Sequence, residues 1–152
     1  MGIEKDIHQN TFTNVKQKAI VNLLFTYGWT IERLKNFLAA EDITHQQFNI
    51  LRILRGANSQ PLSTLQIRER MLDKASDTSR IVDRLILKEL VQKDTCPKDK
   101  RLVDVTITAK GLKLLEKLDA QSSAMDEVMN SLTNEEAGQL SDLLDKMRSQ
   151  TQ

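Results

Sequence analysis

Asp77, Arg80, Arg84 and Lys88 stand at positions i, i+3, i+7 and i+11 of one stretch. A helix over residues 76–89 carries all four on one side, opposite Val82 and Ile86. Guanidinium groups presented this way match the paired acceptors of a base edge in the major groove of duplex DNA. Ser76, Thr78 and Ser79 lie in the first turn of that helix, where hydroxyls and unbonded backbone amides can meet a phosphate. A second cationic group, Lys98, Lys100 and Arg101, follows within a short polar stretch and suits neighbouring phosphates or a minor groove. Asp77 has two readings: it accepts from a cytosine amino group, or it favours the helix N-terminus. Asp83 could orient Arg80 or Arg84.

Three helix starts that position these residues are written in the same code. Thr44 with Gln47, Ser63 with Gln66, and Thr133 with Glu136 are each spaced as a capping box. Ile43 and Phe48 flank the first box, and Leu62 and Ile67 the second, at the positions of a hydrophobic staple. Helices are therefore expected to begin near His45, Thr64 and Asn134. The first runs to Gly56, the second ends near Leu72, and a third, capped by Ser76 after about three residues, has helix-turn-helix spacing.

The period then changes. Val103-Asp104-Val105-Thr106-Ile107-Thr108 alternates as a half-buried strand does, and residues 90–95 form its partner. The polar residues 96–101 between them make a hairpin tip. Upstream, residues 13–40 show a helical stripe (Val15, Ala19, Leu23, Ile31, Leu34, Leu38) with a bend expected at Tyr27-Gly28. Downstream, Leu114 to Leu132 keep helical spacing, and a last helix aligns Leu140, Leu143, Leu144 and Met147. These C-terminal helices either fold back on residues 13–40 or pair with a second chain. The fold expected is mainly α with a small β-hairpin: a winged helix-turn-helix over 44–108, between an N-terminal helical region, 1–43, and C-terminal helices, 109–152.

Composition agrees. The 152 residues contain five Gly and two Pro, too few turn-formers for a sandwich or barrel. Net charge is +1, yet its distribution is uneven: +2 over residues 1–73, +2 over 74–108 and −3 over 109–152. A nucleic-acid protein of this kind relies on locally placed cations, not on a bulk positive field. The lone Cys96 excludes an intramolecular disulfide framework and suits a reducing compartment. Charged residues at positions 4–6, Asp6 where a myristoylation signal has Ser or Thr, and apolar runs broken by Asn22 point to no membrane association and a cytoplasmic location. His8 and His45 are too few and too far apart for a metal motif. Neither a phosphate loop nor a nucleophile–base pairing is visible, so no cofactor and no enzymatic activity are expected.

Residues 44–111 resemble the DNA-binding core of the MarR family of bacterial transcriptional regulators. Ile81-Val82-Asp83-Arg84-Leu85 is similar to the family's recognition-helix core. Asp99-Lys100-Arg101, followed by Val103-Asp104-Val105-Thr106-Ile107-Thr108-Ala109-Lys110-Gly111, is similar to its Asp-x-Arg wing and the strand-to-helix signature after it. Glu89 departs from the pattern, standing where the family commonly has Gly, and the wing is short. The resemblance implies a homodimer, with the flanking regions as dimerisation elements, that binds a pseudo-palindromic duplex operator as a repressor and is released by a small ligand or signal. It implies that Arg101 enters or borders the minor groove and that Asp99 buttresses it. It also offers a setting for two further features. Phe25, Tyr27, Trp29 and Phe37 either pack in the core or dimer contact, which is the plainer reading, or line a cavity for a small aromatic effector. Cys96, beside Lys98 and Lys100, is either an incidental exposed thiol, again the plainer reading, or a redox sensor. The alternative for the whole is a winged-helix adaptor that uses the same surface for protein contacts and binds no DNA.

Overall fold

The computed structural model describes residues 2–95, 97–99 and 103–149. Its helices are α1 (Ile3–Asp6), α2 (Val15–Leu38), α3 (His45–Gly56), α4 (Thr64–Arg70), α5 (Thr78–Leu87), α6 (Ala109–Ala120), α7 (Ser123–Asp126) and α8 (Asn134–Arg148). Strands β1 (Val91–Thr95) and β2 (Val103–Ile107) lie between α5 and α6. The order is that of a winged helix between helical arms.

All three capping boxes form. The hydroxyls of Thr44, Ser63 and Thr133 accept from the amides of Gln47, Gln66 and Glu136 at 3.1, 3.1 and 3.2 Å. The side-chain oxygens of those partners accept in return from the cap residues' own N–H groups. Each such cap contributes about 1 kcal/mol to its helix.

Three local expectations are corrected. The α5 helix is capped by Asp77, whose carboxylate accepts from the Arg80 amide at 3.2 Å, and not by Ser76. Its predecessor α4 stops at Arg70, so the turn spans residues 71–77. Met71 closes α4 in an extended conformation and is anchored in the core, 2% exposed, which pulls the chain out of the helix early. The α2 helix runs unbroken through Gly28. The helical stretch after Thr108 is interrupted: α6 ends at Ala120, followed by α7 and a 3-10 turn, Glu127–Met129.

Fifteen buried apolar residues, from Leu38 to Leu118, form a single core. Ile50, Leu51 and Leu54 of α3, Ile67 of α4, Val82 and Leu85 of α5, Val105 of β2 and Leu115 and Leu118 of α6 are each no more than 2% exposed. Burying a side chain of this size is worth about 1.5–3 kcal/mol. An Arg55–Asp119 ion pair, 2.6 Å, closes the outer edge between α3 and α6.

The wing is rooted in this core. The β1 and β2 strands are antiparallel, with Val91 opposite Ile107 and Lys93 opposite Val105. Leu62 adds a single bridging residue through two backbone hydrogen bonds with Val105, 3.1 and 2.8 Å. The turn from α5 into β1 is a Schellman motif: Leu90 N–H donates to Leu85 C=O (3.0 Å) and Glu89 N–H to Ile86 C=O (2.9 Å). That motif puts its C′ residue in the left-handed region, and Glu89 has φ 60°. Here lies the physical reason for a Gly at this position; Glu89 accepts the strain, and Lys110 approaches its carboxylate at 3.6 Å. Gly111 is constrained differently. A Cβ there would lie 2.4 Å from the Leu90 carbonyl oxygen and 2.7 Å from Ile107, so only Gly lets α6 dock against the wing root.

The arms are another matter. The α8 helix buries none of its residues and α2 buries only Leu38. Val15, Ile20, Leu24 and Tyr27 on α2, and Leu140, Leu143 and Met147 on α8, are all exposed. No helix among the described residues is long and apolar enough to cross a membrane.

Candidate nucleic-acid interface

The α5 helix divides cleanly by face. Val82 and Leu85 are fully buried and Ile81 and Ile86 partly so, which holds the helix down along one stripe. Ser79, Arg80, Asp83 and Arg84 therefore turn to solvent. Among the described residues the Arg80 side chain keeps only a long contact with Asp77, 3.8 Å, and both side chains are more than 60% exposed. Arg84 makes no ion pair among the described residues. Two guanidinium groups one turn apart are thus free to approach a partner, as the spacing predicts. Asp83 faces Lys93 on β1 at 3.4 Å, tying the helix to the wing without orienting either arginine.

The first turn departs from expectation. Thr78 is 4% exposed, directed inward by the same periodicity that exposes Ser79, so it is withdrawn from the groove-facing set. Ser76 is half-buried, and neither its hydroxyl nor that of Thr78 has a hydrogen-bond partner among the described residues. Both hydroxyls border a hollow between the starts of α4 and α5 that also takes in Thr64, Arg68, Asp77 and Ser79. Arg68 was not singled out from sequence. Its signal was present, since it follows the buried Ile67 by one residue and Thr64 by four and so shares Thr64's side of α4.

Lys88 is not part of the solvent face. Its ammonium turns back to the main-chain oxygen of Asp42 and to Gln47 Oε1 at 3.3 Å. At the wing tip Lys98 is exposed and Asp99 half-buried. Cys96, Lys100 and Arg101 lie outside the described residues.

A larger cavity, about 830 Å³, opens behind the helix-turn-helix. Tyr27 and Phe37 of α2, Phe48 and Arg52 of α3, and residues 71–75 of the turn before α5 all contribute to its wall. Phe25 and Trp29 do not: Phe25 is 40% exposed, and Trp29 stacks under the Arg33 guanidinium, 3.6 Å from the ring centre. Arg52 lies over the Phe48 ring at 5.5 Å. His45 also lines the cavity, and its pKa is held below the usual imidazole value, first by burial and then by Lys35, against a weaker opposing pull from Asp73.

An outward helix on a helix-turn-helix, with a β-hairpin beside it and cations on both, defines a winged-helix DNA-binding protein. Residues 43–103 match the MarR family profile. The chain is 31% identical over 108 residues to the HTH-type transcriptional repressor MdtR of Bacillus subtilis, covering 70% of this chain and 68% of that one. It is 26% identical over 136 residues to the HTH-type transcriptional regulator MhqR of the same organism, covering 89% and 92%. A MarR transcription factor from Planctomyces limnophilus superposes with a TM-score of 0.68 at 30% identity, covering 89% of this chain and 98% of that one. The chain belongs to the MarR family of DNA-binding transcriptional regulators.

Proposed function

We propose that this regulator acts in the cytoplasm as a homodimeric repressor on a pseudo-palindromic duplex operator and is released by a small effector. The observation that carries the reading is the outward face of α5, with Arg80 and Arg84 exposed on a helix whose other side is fixed in the core. Two such helices must be set about 34 Å apart to enter successive major grooves on one side of a duplex. The apolar stripes that α2 and α8 leave exposed are the surfaces through which a second copy would hold that spacing. Ser79 and the hollow beside Arg68, with the Ser76 hydroxyl at its edge, are assigned to the flanking phosphates, and Asp77 to the cap of α5 or to a cytosine amino group. Lys98, Lys100 and Arg101 are assigned to the wing contact, with Asp99 as buttress.

The effector site is assigned to the cavity lined by Tyr27, Phe37 and Phe48. Its wall includes the turn that leads directly into α5, so a molecule seated there bears on the recognition helix. It shifts the equilibrium only to the extent that it binds the released shape more tightly.

Selection of duplexes from a random pool, followed by binding at graded salt, tests the reading. The expected product is a site with two-fold symmetry whose log affinity falls linearly with log salt, and Lys98→Ala lowers that slope by about 0.9. Arg84→Ala costs about 1–3 kcal/mol at the selected site and less on random DNA. Negligible affinity for any duplex at low salt would replace this reading with a protein-binding adaptor.

A further inference from the structure

We propose that Lys88 is a positioning residue that fixes the recognition helix to the joint between the long arm α2 and the DNA-reading core. It rests on the operator reading above only for its consequence, not for its geometry.

That joint is the short 3-10 turn Ala39–Glu41 and the residue after it, Asp42, which is left-handed at φ 51°. Left-handed backbone costs about 1–2 kcal/mol outside Gly, least for Asn and Asp, so Asp42 is held there by its surroundings. Two lysines do the holding. Lys117 of α6 pairs with Glu41 at 2.6 Å, and the Glu41 side chain is only 15% exposed. Lys88, the residue that ends α5, donates to the Asp42 main-chain oxygen and to Gln47 Oε1, with the Asp42 carboxylate 3.8 Å away.

Gln47 makes the link specific. It is 4% exposed, and its Oε1 also accepts from the Thr44 amide at 3.1 Å to complete the capping box of α3. One buried oxygen therefore joins the end of the recognition helix to the start of the helix that follows the arm. An ammonium has three N–H bonds, and those of Lys88 are directed at Asp42 and Gln47. That leaves the side chain committed inward, although sequence spacing places it in line with Arg80 and Arg84. Held so, α5 cannot rotate against α2 without breaking the Lys88 contacts, and in a dimer that rotation is what changes the separation of the two reading helices.

The test uses the full chain carrying Lys88→Met, with Lys88→Arg as the variant that keeps charge and donors. In the free protein, hydrogen exchange at the Thr44 and Gln47 amides should quicken about fivefold in K88M and return towards wild type in K88R. On the duplex recovered by selection, K88M should lose about tenfold of its preference over the same half-sites separated by one additional base pair, with an unchanged salt slope. Unaltered exchange in K88M, or a slope lowered by about 0.9 as for a phosphate contact, would overturn the proposal. So would a drop in melting temperature with spacing preference intact, since that marks a purely structural lysine. A wild-type protein indifferent to spacing would instead count against the dimeric operator reading, and the exchange measurement would still decide the role of Lys88.

Discussion

The winged core and the helical arms solve different problems with similar residues. In the core, α3, α5 and α6 each sink an apolar stripe into neighbours of the same chain, down to zero exposure at Leu51, Leu85 and Leu115. In the arms, the stripe of α8 buries none of its residues, half-covering Leu144 and leaving Leu143 64% and Met147 53% exposed. Both regions contain well-made local structure; α8 has as complete a capping box as α3. The difference shows that a helix can be fully specified by its own sequence and still lack the burial that stabilises it. One region is finished within the chain, and the other leaves its apolar stripe exposed.

The largest effect expected from breaking this contrast is in the core. Leu85→Ala should lower unfolding free energy by about 2–5 kcal/mol in a denaturant titration, whereas Leu140→Ala should change the intrinsic stability of an isolated chain by less than about 1 kcal/mol. Equal losses would mean that the arm is packed on its own core. Next comes Gly111→Ala, which drives a methyl group into the Leu90 carbonyl; a loss of about 1–3 kcal/mol or more is expected, with the β1–β2 amides exchanging faster.

Leu143→Asp sharpens the other half. On the proposed homodimer, sedimentation should show two chains in the parent and dissociation to single chains in the variant, with a thermal midpoint that rises with concentration only in the parent. Glu89→Gly is expected to act in the opposite sense, stabilising by up to about 1 kcal/mol by relieving the left-handed strain. The same change removes the exposed carboxylate that faces Lys110, and a pairing so open to solvent offsets little of that gain. The smallest effect is His45. Because its folded pKa is lowered, the unfolded chain binds the proton more readily. Its contribution to stability is thus complete above about pH 6.5 and is lost as pH falls below that value. Melting temperatures at pH 7.5 and 5.5 should differ less in His45→Gln than in the parent.

What the sequence displayed was what neighbours along the chain decide. The capping boxes of Thr44, Ser63 and Thr133 and the alternation around Val105 involve partners within four residues, and the structure has all of them. The resemblance extended this to the fold, because order and spacing of such elements define it. Where tertiary contacts choose between equivalent local options, sequence reading missed. Ser76 and Asp77 are both good caps, and it is the Asp77 carboxylate that reaches the Arg80 amide. Thr78 and Ser79 are chemically similar, but Thr78 stands four residues before Val82 and seven before Leu85, on the buried stripe, a periodic signal that was legible. Lys88 has the right spacing for the reading face but finds Asp42, forty-six residues away in sequence. The cavity gathers residues from α2, α3 and the turn before α5, a juxtaposition that no local pattern announces.

That cavity's wall and the outward face of α5 have no residue in common: Tyr27, Phe37 and Phe48 belong to the first, Arg80 and Arg84 to the second. On the proposed reading, substitutions can therefore reshape the chamber without touching the residues assigned to the duplex, and the reverse, so that descendants of one ancestral chain would be free to answer new signals at old addresses.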